Sequence, residues 1–131
     1  MNGLLYVALG GALGASGRHL LGSATLRMFG PGYPYGTLAA NVFGGLLMGV
    51  LVGWLMVKGA NLASSAESLR LFLAVGVLGG FTTFSAFSLD AMQMIETKAY
   101  GTAFAYISAS VVFSILALFI GLVIARKFFG A

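Results

Sequence analysis

The chain has 131 residues, of which 60% are hydrophobic and only 8% are charged, and its formal net charge is +4. Soluble domains carry about 25% charged residues, so this composition excludes a water-soluble globular protein. It also excludes a disordered chain, because disordered chains are polar and rich in charge. An integral membrane protein remains. At about 20 residues per helix, the length allows four spans and no soluble domain beside them.

Side chains that could build an enzyme or metal centre are scarce. The chain has no cysteine, one histidine (His19) and three acids (Glu67, Asp90 and Glu96). This set cannot supply a thiolate metal site, a carboxylate cage or a nucleophile–base pair, so we expect no enzymatic activity. The seven lysines and arginines are scattered and form no basic stripe, so nucleic-acid binding is not expected either.

Long apolar stretches follow one another along the chain at about residues 4–26, 37–57, 69–94 and 102–125. Each is long enough to cross a hydrocarbon core of about 30 Å as a helix. No lysine or arginine precedes the first stretch, which favours a first span over a cleaved signal peptide. We therefore expect one four-helix transmembrane domain over residues 1–131.

Glycine recurs at four-residue spacing within these stretches. The runs are Gly10 and Gly14, then Gly45, Gly49 and Gly53, then Gly76 and Gly80. Small residues at this spacing let helices approach closely in lipid. The pattern predicts a specific oligomer or a tight bundle, although apolar segments rich in glycine and alanine often show this spacing without such a role.

Basic residues are nearly balanced between the two sides of the predicted membrane domain. With the N-terminus in the cytoplasm, the inner side holds Lys58, Arg70, Arg126 and Lys127, and the outer side holds Arg18, Arg27 and Lys98. Orientation is normally set by a cytoplasmic excess of lysine and arginine. The near balance predicts insertion in both orientations, and such a mixed population could form antiparallel two-fold dimers.

The third stretch contains the unusual segment GGFTTFSAFS at residues 79–88. Adjacent glycines and threonines are poor helix formers, so the segment predicts either a broken helix, of the kind that often marks ion sites, or a packed helix with hydroxyls bonded to its own carbonyls. Phe84 and Phe87 share a helix face, and their ring edges carry partial positive charge that suits a small anion. Ser85 and Ser88 repeat the same spacing beside them.

Polar side chains also mark the other stretches. In the fourth, hydroxyls recur every four residues at Thr102, Tyr106, Ser110 and Ser114, which predicts a track of hydrogen-bond donors suited to a small anion. Asn41 in the second stretch either bonds across helices or offers its amide to an anion. Arg18 in the first either extends to the interface or attracts anions into a vestibule.

These residues resemble the small fluoride channels of the Fluc or CrcB family, and the resemblance covers nearly the whole chain. It rests on GTLAAN at 36–41, on GG at 44–45, on GGFTTFSAFS at 79–88 and on YISAS at 106–110, with Arg18 ending a glycine-rich first span. The combination of GTLxAN and TTFSxFS is specific. Asp90 stands where the family carries glutamate, which leaves any role for Asp90 open.

The resemblance implies an all-α integral membrane fold with four transmembrane helices, of which the third is broken. Two subunits would form an antiparallel dual-topology homodimer in lipid, with two pores that are each lined by both subunits. The implied activity is passive export of cytoplasmic fluoride across the bacterial inner membrane.

The resemblance also implies roles for individual residues. Those expected along the fluoride path are Phe84, Phe87, Asn41, Tyr106, Ser110, Ser114, Ser85 and Ser88. Arg18 would lie at the vestibule mouth. The backbone carbonyls of Gly79 and Thr82 would hold one central, structural sodium ion together with those of the second subunit.

Two other functions stay open from the residues alone. A small proton-coupled multidrug transporter also has four spans, but it needs an intramembrane carboxylate, expected in the first span. That span has none, and Asp90 in the third is the only candidate. A membrane assembly factor held together by glycine packing would leave the hydroxyl stripe and the Phe pair unexplained.

Overall fold

A computed structural model describes residues 3–62 and 64–130, and within those ranges every regular element is helical. The elements are α1 (Gly3–Phe29), α2 (Tyr35–Leu62), α3 (Ser64–Leu69), a π-helical segment (Arg70–Leu78), α4 (Gly79–Phe81), α5 (Phe84–Glu96) and α6 (Tyr100–Phe129). The predicted all-α class is confirmed. The single domain predicted over 1–131 includes residues 1, 2, 63 and 131, which lie outside the described residues.

Three helical stretches of the described chain are long and apolar enough to cross a membrane: Tyr35–Leu62, Ser65–Glu96 and Tyr100–Phe129. The chain is therefore of the helical membrane class. Helix α1 has 27 residues and would extend about 40 Å. It carries Arg18 and Arg27, however, and is not among the three, so the fourth span stays a prediction.

The glycine run of α2 packs this helix against α6 within the same chain. A Cβ built on Gly45 would lie 2.8 Å from the Ser114 carbonyl oxygen, and one on Gly49 would overlap the Leu118 carbonyl oxygen. Only glycine permits such approach of two helix backbones. The structure of the single chain shows the tight bundle, and the specific oligomer stays a prediction.

Helix α1 packs in the same manner along the segment that precedes the third-span break. A Cβ on Gly10 would lie 2.9 Å from the Gly76 Cα, and a Cβ on Gly14 would lie 2.8 Å from the Phe81 amide nitrogen. Helix α1 thus contacts both the π-helical segment and α4, and it fixes the position at which the third span is interrupted.

The interruption itself lies at Thr82 and Thr83. Both are extended, with ψ of 156° and 123°, between the end of α4 and the start of α5. The Thr83 hydroxyl oxygen caps α5 by accepting the Ala86 amide at 3.1 Å, as threonine does at helix starts. The predicted broken helix is present, and the break is at the threonines, whereas Gly79 keeps helical dihedrals.

The buried core of the single chain is small. Phe87, Ala91 and Tyr106 form its hydrophobic cluster, whereas large apolar side chains such as Phe104 and Ile115 are 74% and 67% exposed. Contiguous apolar surface on this scale marks contact with lipid or with another protein surface. The core positions the carboxyl-terminal half of the third span against α6.

Candidate functional site

Five of the eight residues predicted along the fluoride path line a cavity of about 390 Å³ between α2, the break, α5 and α6. The cavity is lined by Asn41, Thr82, Thr83, Phe84, Phe87, Ser110, Val111, Ser114 and Ile115. Helix α2 contributes the amide, the break contributes two threonines, α5 contributes the aromatic pair, and α6 contributes the serines. The described chain thus brings Asn41, Phe84, Phe87, Ser110 and Ser114 to one place.

The two serines of this cavity carry buried hydroxyls that lack a hydrogen-bond partner anywhere in the described chain. Ser110 is only 5% exposed. A buried hydroxyl left without a partner costs about 1–3 kcal/mol, and such groups in native proteins call for an explanation. Both O–H groups are therefore available to donate to something held in the cavity.

Asn41 fastens the break to α2 through both ends of its amide. Its Oδ1 accepts the Thr83 N–H at 2.8 Å, and its Nδ2 donates to the Thr83 carbonyl at 3.0 Å. The cross-helix bond that was one alternative for Asn41 is present. Because an amide carries two N–H groups, one donor is left on the cavity wall after the bond to Thr83.

Phe84 and Phe87 lie near the start of α5, and Thr83 caps this helix. The ring centroids of Phe84 and Phe87 are 5.5 Å apart and the rings are inclined by 47°. Phe87 is buried and 5.4 Å from the ring of Tyr106, whereas Phe84 is 78% exposed. One ring is thus held by the core, and the other borders the cavity from a freely accessible position.

Tyr106 and Asp90 form a separate polar contact. The Tyr106 hydroxyl donates to Asp90 Oδ2 at 3.0 Å, and Asp90 lines a second cavity of about 440 Å³ beside the connection between α1 and α2. Tyr33 in that connection packs edge-on against Tyr106, and burial, with Tyr35 adding to it, raises the pKa of Tyr33 above its usual value. The path role predicted for Tyr106 stays a prediction.

The serines of α5 face other partners. The Ser88 hydroxyl donates to the Phe84 carbonyl at 2.9 Å, and the Ser85 hydroxyl lies 3.3 Å from that of Thr83. Neither residue is on the wall of the cavity that holds Ser110, and their predicted roles also stay predictions. Sequence reasoning missed Thr83, although a threonine directly before an apolar helical run is a typical helix start.

Arg18 and Gly79 are not on the wall of the cavity that holds Ser110, whereas Thr82, the other proposed metal ligand, is. Arg18 Nε donates to the Gly80 carbonyl at 3.3 Å and lines a cavity of about 280 Å³. Gly79 keeps helical dihedrals at the start of α4, whereas Thr82 is extended, so the Thr82 carbonyl leaves the helical pattern. The described residues hold no group of three acidic, histidine or cysteine side chains. A cation there would need backbone carbonyls, which suit a hard ion.

Comparisons with a family model and with individual known proteins indicate the same family. A family model described as CrcB-like protein, Camphor Resistance (CrcB), matches residues 5–122. A Caulobacter vibrioides (strain NA1000 / CB15N) protein named Fluoride-specific ion channel FluC is 55% identical over 130 residues, which is 99% of this chain and 100% of the relative. Proteins of the same name from Hyphomonas neptunium and Agrobacterium fabrum are 50% and 46% identical, over 99% and 98% of this chain and 100% of each relative. The chain therefore belongs to the CrcB family.

Proposed function

We propose that this protein is a fluoride-selective channel that lets cytoplasmic fluoride leave passively across the bacterial inner membrane. The observation that carries the proposal is the pair of buried, unpartnered hydroxyls of Ser110 and Ser114 on a wall shared with Phe84 and Phe87. The relatives at 46–55% identity are named fluoride-specific ion channels, which supports the same ion here.

The chemistry of the cavity wall favours an anion over a cation. The Oδ1 acceptor of Asn41 is taken by the Thr83 amide, whereas one of its N–H donors is free. No carboxylate is among the residues that line this cavity. Hydroxyl donors and aromatic edges present positive partial charge. Fluoride is small and strongly hydrated, so short donor contacts replace its water, while a narrow bore rejects larger anions.

Passive conduction fits this wall better than coupled transport or catalysis. A proton-coupled exchanger needs a carboxylate that contacts its substrate. Asp90 instead accepts a hydrogen bond from Tyr106 and lines the cavity beside the connection between α1 and α2. A channel needs no such group. The protein is therefore a channel in this proposal, not a pump or an enzyme.

A second copy would complete the path. Val111 and Ile115 border the cavity and are 46% and 67% exposed in the single chain, so one side of the cavity lacks a wall. An antiparallel dimer surrounded by lipid would close it and give two pores, each lined by both subunits. The near balance of basic residues on the two sides supports insertion in both orientations.

A central sodium ion belongs to the same proposal. The carbonyls of Gly79 and Thr82, with those of the second copy, would form its oxygen ligands on the two-fold axis. The support is that Thr82 is extended at the break, because carbonyls freed by a break in lipid need a partner within the protein. The ion would neutralise these dipoles and hold the two breaks together.

The test is anion release from liposomes that contain the purified protein. A fluoride electrode and a chloride electrode follow parallel samples, with protein-free liposomes as the control. Fast fluoride release without chloride release is the expected result. No fluoride release from a folded dimer would contradict the proposal, and proton-coupled cation exchange at Asp90 would then be measured with Asp90→Asn as the matched variant.

A further inference from the structure

The side chain of Arg18 reaches from α1 to the last turn before the third-span break. Its Nε–H lies 3.3 Å from the Gly80 carbonyl oxygen, and the side chain is partly buried. The two backbones are close there because both are glycine: a Cβ on Gly80 would lie 2.7 Å from the Gly11 carbonyl oxygen. The packing of α1 against α4 therefore sets this contact.

The Gly80 carbonyl needs a partner from outside its own helix. In a continuous α-helix this oxygen would accept the amide of Phe84. Thr82 and Thr83 are extended, and Phe84 begins α5 instead. Carbonyls released at membrane depth must be satisfied within the protein, and Arg18 supplies a donor for this one.

Arg18 and Asn41 hold the break from two sides. Arg18 binds the Gly80 carbonyl from α1, and Asn41 binds both backbone groups of Thr83 from α2. Only Phe81 and Thr82 lie between these two attachment points. The directions of the carbonyls on either side of Gly80, and the start of α5, therefore depend on both contacts.

We propose that Arg18 is a positioning residue, whose Nε–H holds the break in the shape that the anion path and its structural cation require. This inference rests on the proposed function. It differs from a role as an anion-attracting charge, because it depends on the Nε–H that Gly80 accepts. In this proposal the bond from Nε–H to the Gly80 carbonyl is the required property, and the positive charge is not.

Three substitutions separate the hydrogen bond from the charge. Arg18→Gln places a neutral N–H donor the same number of bonds from Cα as the arginine Nε. Arg18→Lys keeps the charge but puts a methylene at that position, and Arg18→Met puts a methyl group there and has neither property. Each variant is compared with the unaltered protein by fluoride release from liposomes, by the sodium concentration that gives half-maximal release, and by its melting temperature.

We expect Arg18→Gln to keep the flux and the sodium requirement of the unaltered protein. Arg18→Lys and Arg18→Met should lose about fivefold in flux, since an ordinary hydrogen bond is large enough to change an equilibrium constant by about that factor. In both variants the sodium concentration that gives half-maximal release should also rise. A merely structural role of Arg18 would not change this concentration.

Three results would overturn the inference: full flux in Arg18→Lys with loss in Arg18→Gln, full flux in all three variants, or loss in all three. If Arg18→Met does not fold, the comparison of Gln with Lys still decides. Absence of fluoride release from the unaltered protein would instead contradict the proposed function, so the two failures are distinguishable.

Discussion

Replacing Ser110 with alanine removes a buried hydroxyl that makes no hydrogen bond within the described chain. An unpartnered buried hydroxyl opposes folding by about 1–3 kcal/mol. Ser110→Ala is therefore expected to leave the free energy of unfolding unchanged or to raise it by up to that amount. Most substitutions of buried residues lower stability. An unchanged or higher free energy of unfolding is therefore a specific expectation for Ser110→Ala.

The same substitution should impair conduction. A hydrogen bond to a charged partner contributes about 1.5–3 kcal/mol, which corresponds to about a 10- to 150-fold change in an equilibrium constant. Ser110→Ala should therefore lower fluoride flux at least about tenfold, with Ser114→Ala behaving alike. The double variant need not show the product of the two effects, because neighbouring donors that share one ion are coupled.

Fluoride release from liposomes and the melting temperature in detergent are measured on the same preparations. Ser108→Ala is the matched control, because Ser108 lies on the same helix and is not among the cavity residues. It should leave flux unchanged. A clear loss of stability in Ser110→Ala with normal flux would refute the reasoning, because the hydroxyl would then make a structural bond and not an ion contact.

The other expectations use the same two measurements. Phe84→Ile and Phe87→Ile should each lower fluoride flux. Only the change at the buried Phe87 should also lower the free energy of unfolding, by about 1–3 kcal/mol, and with it the melting temperature. Normal flux in both variants would exclude an aromatic role. Asn41→Asp keeps an acceptor for the Thr83 amide but loses the amide donor and adds a negative charge, so it should block flux, and normal flux would make Asn41 purely structural. Gly44→Ala should reduce flux because its Cβ would overlap the Thr82 methyl group, whereas Gly101→Ala, which has open space, should behave normally. Dialysis into sodium-free buffer should reduce flux until sodium is restored, and flux that is indifferent to every cation exchange would argue against the central ion.

The positions of the helices could be predicted well from the sequence because lipid demands long apolar runs with internally bonded backbones. The first, second and fourth apolar stretches lie within single helices that extend beyond the predicted ends, whereas the third is helical except at Thr82 and Thr83. The π-helical segment Arg70–Leu78 was not predicted. Its composition is that of an ordinary apolar helix, and a π-turn differs from an α-turn only in hydrogen-bond register.

The site was predictable in part, and the hydroxyl stripe of α6 shows why. A four-residue step exceeds one helical turn by about 40°, so a stripe with this spacing rotates gradually around the helix. Tyr106 at one end bonds to Asp90, while Ser110 and Ser114 line the cavity with Asn41. The partner of each hydroxyl depends on tertiary packing. It therefore cannot be predicted from the spacing of residues along one helix.

The order of the contacts along the chain has a consequence for synthesis. Both residues that hold the break, Arg18 and Asn41, precede it in the sequence and lie on earlier helices. Chains emerge from the ribosome N-terminus first, so the third span meets the donors for its exposed carbonyls as it enters the bilayer. The interrupted segment need not wait for α6, and the last helix then adds the serine wall to a break that is already stabilised.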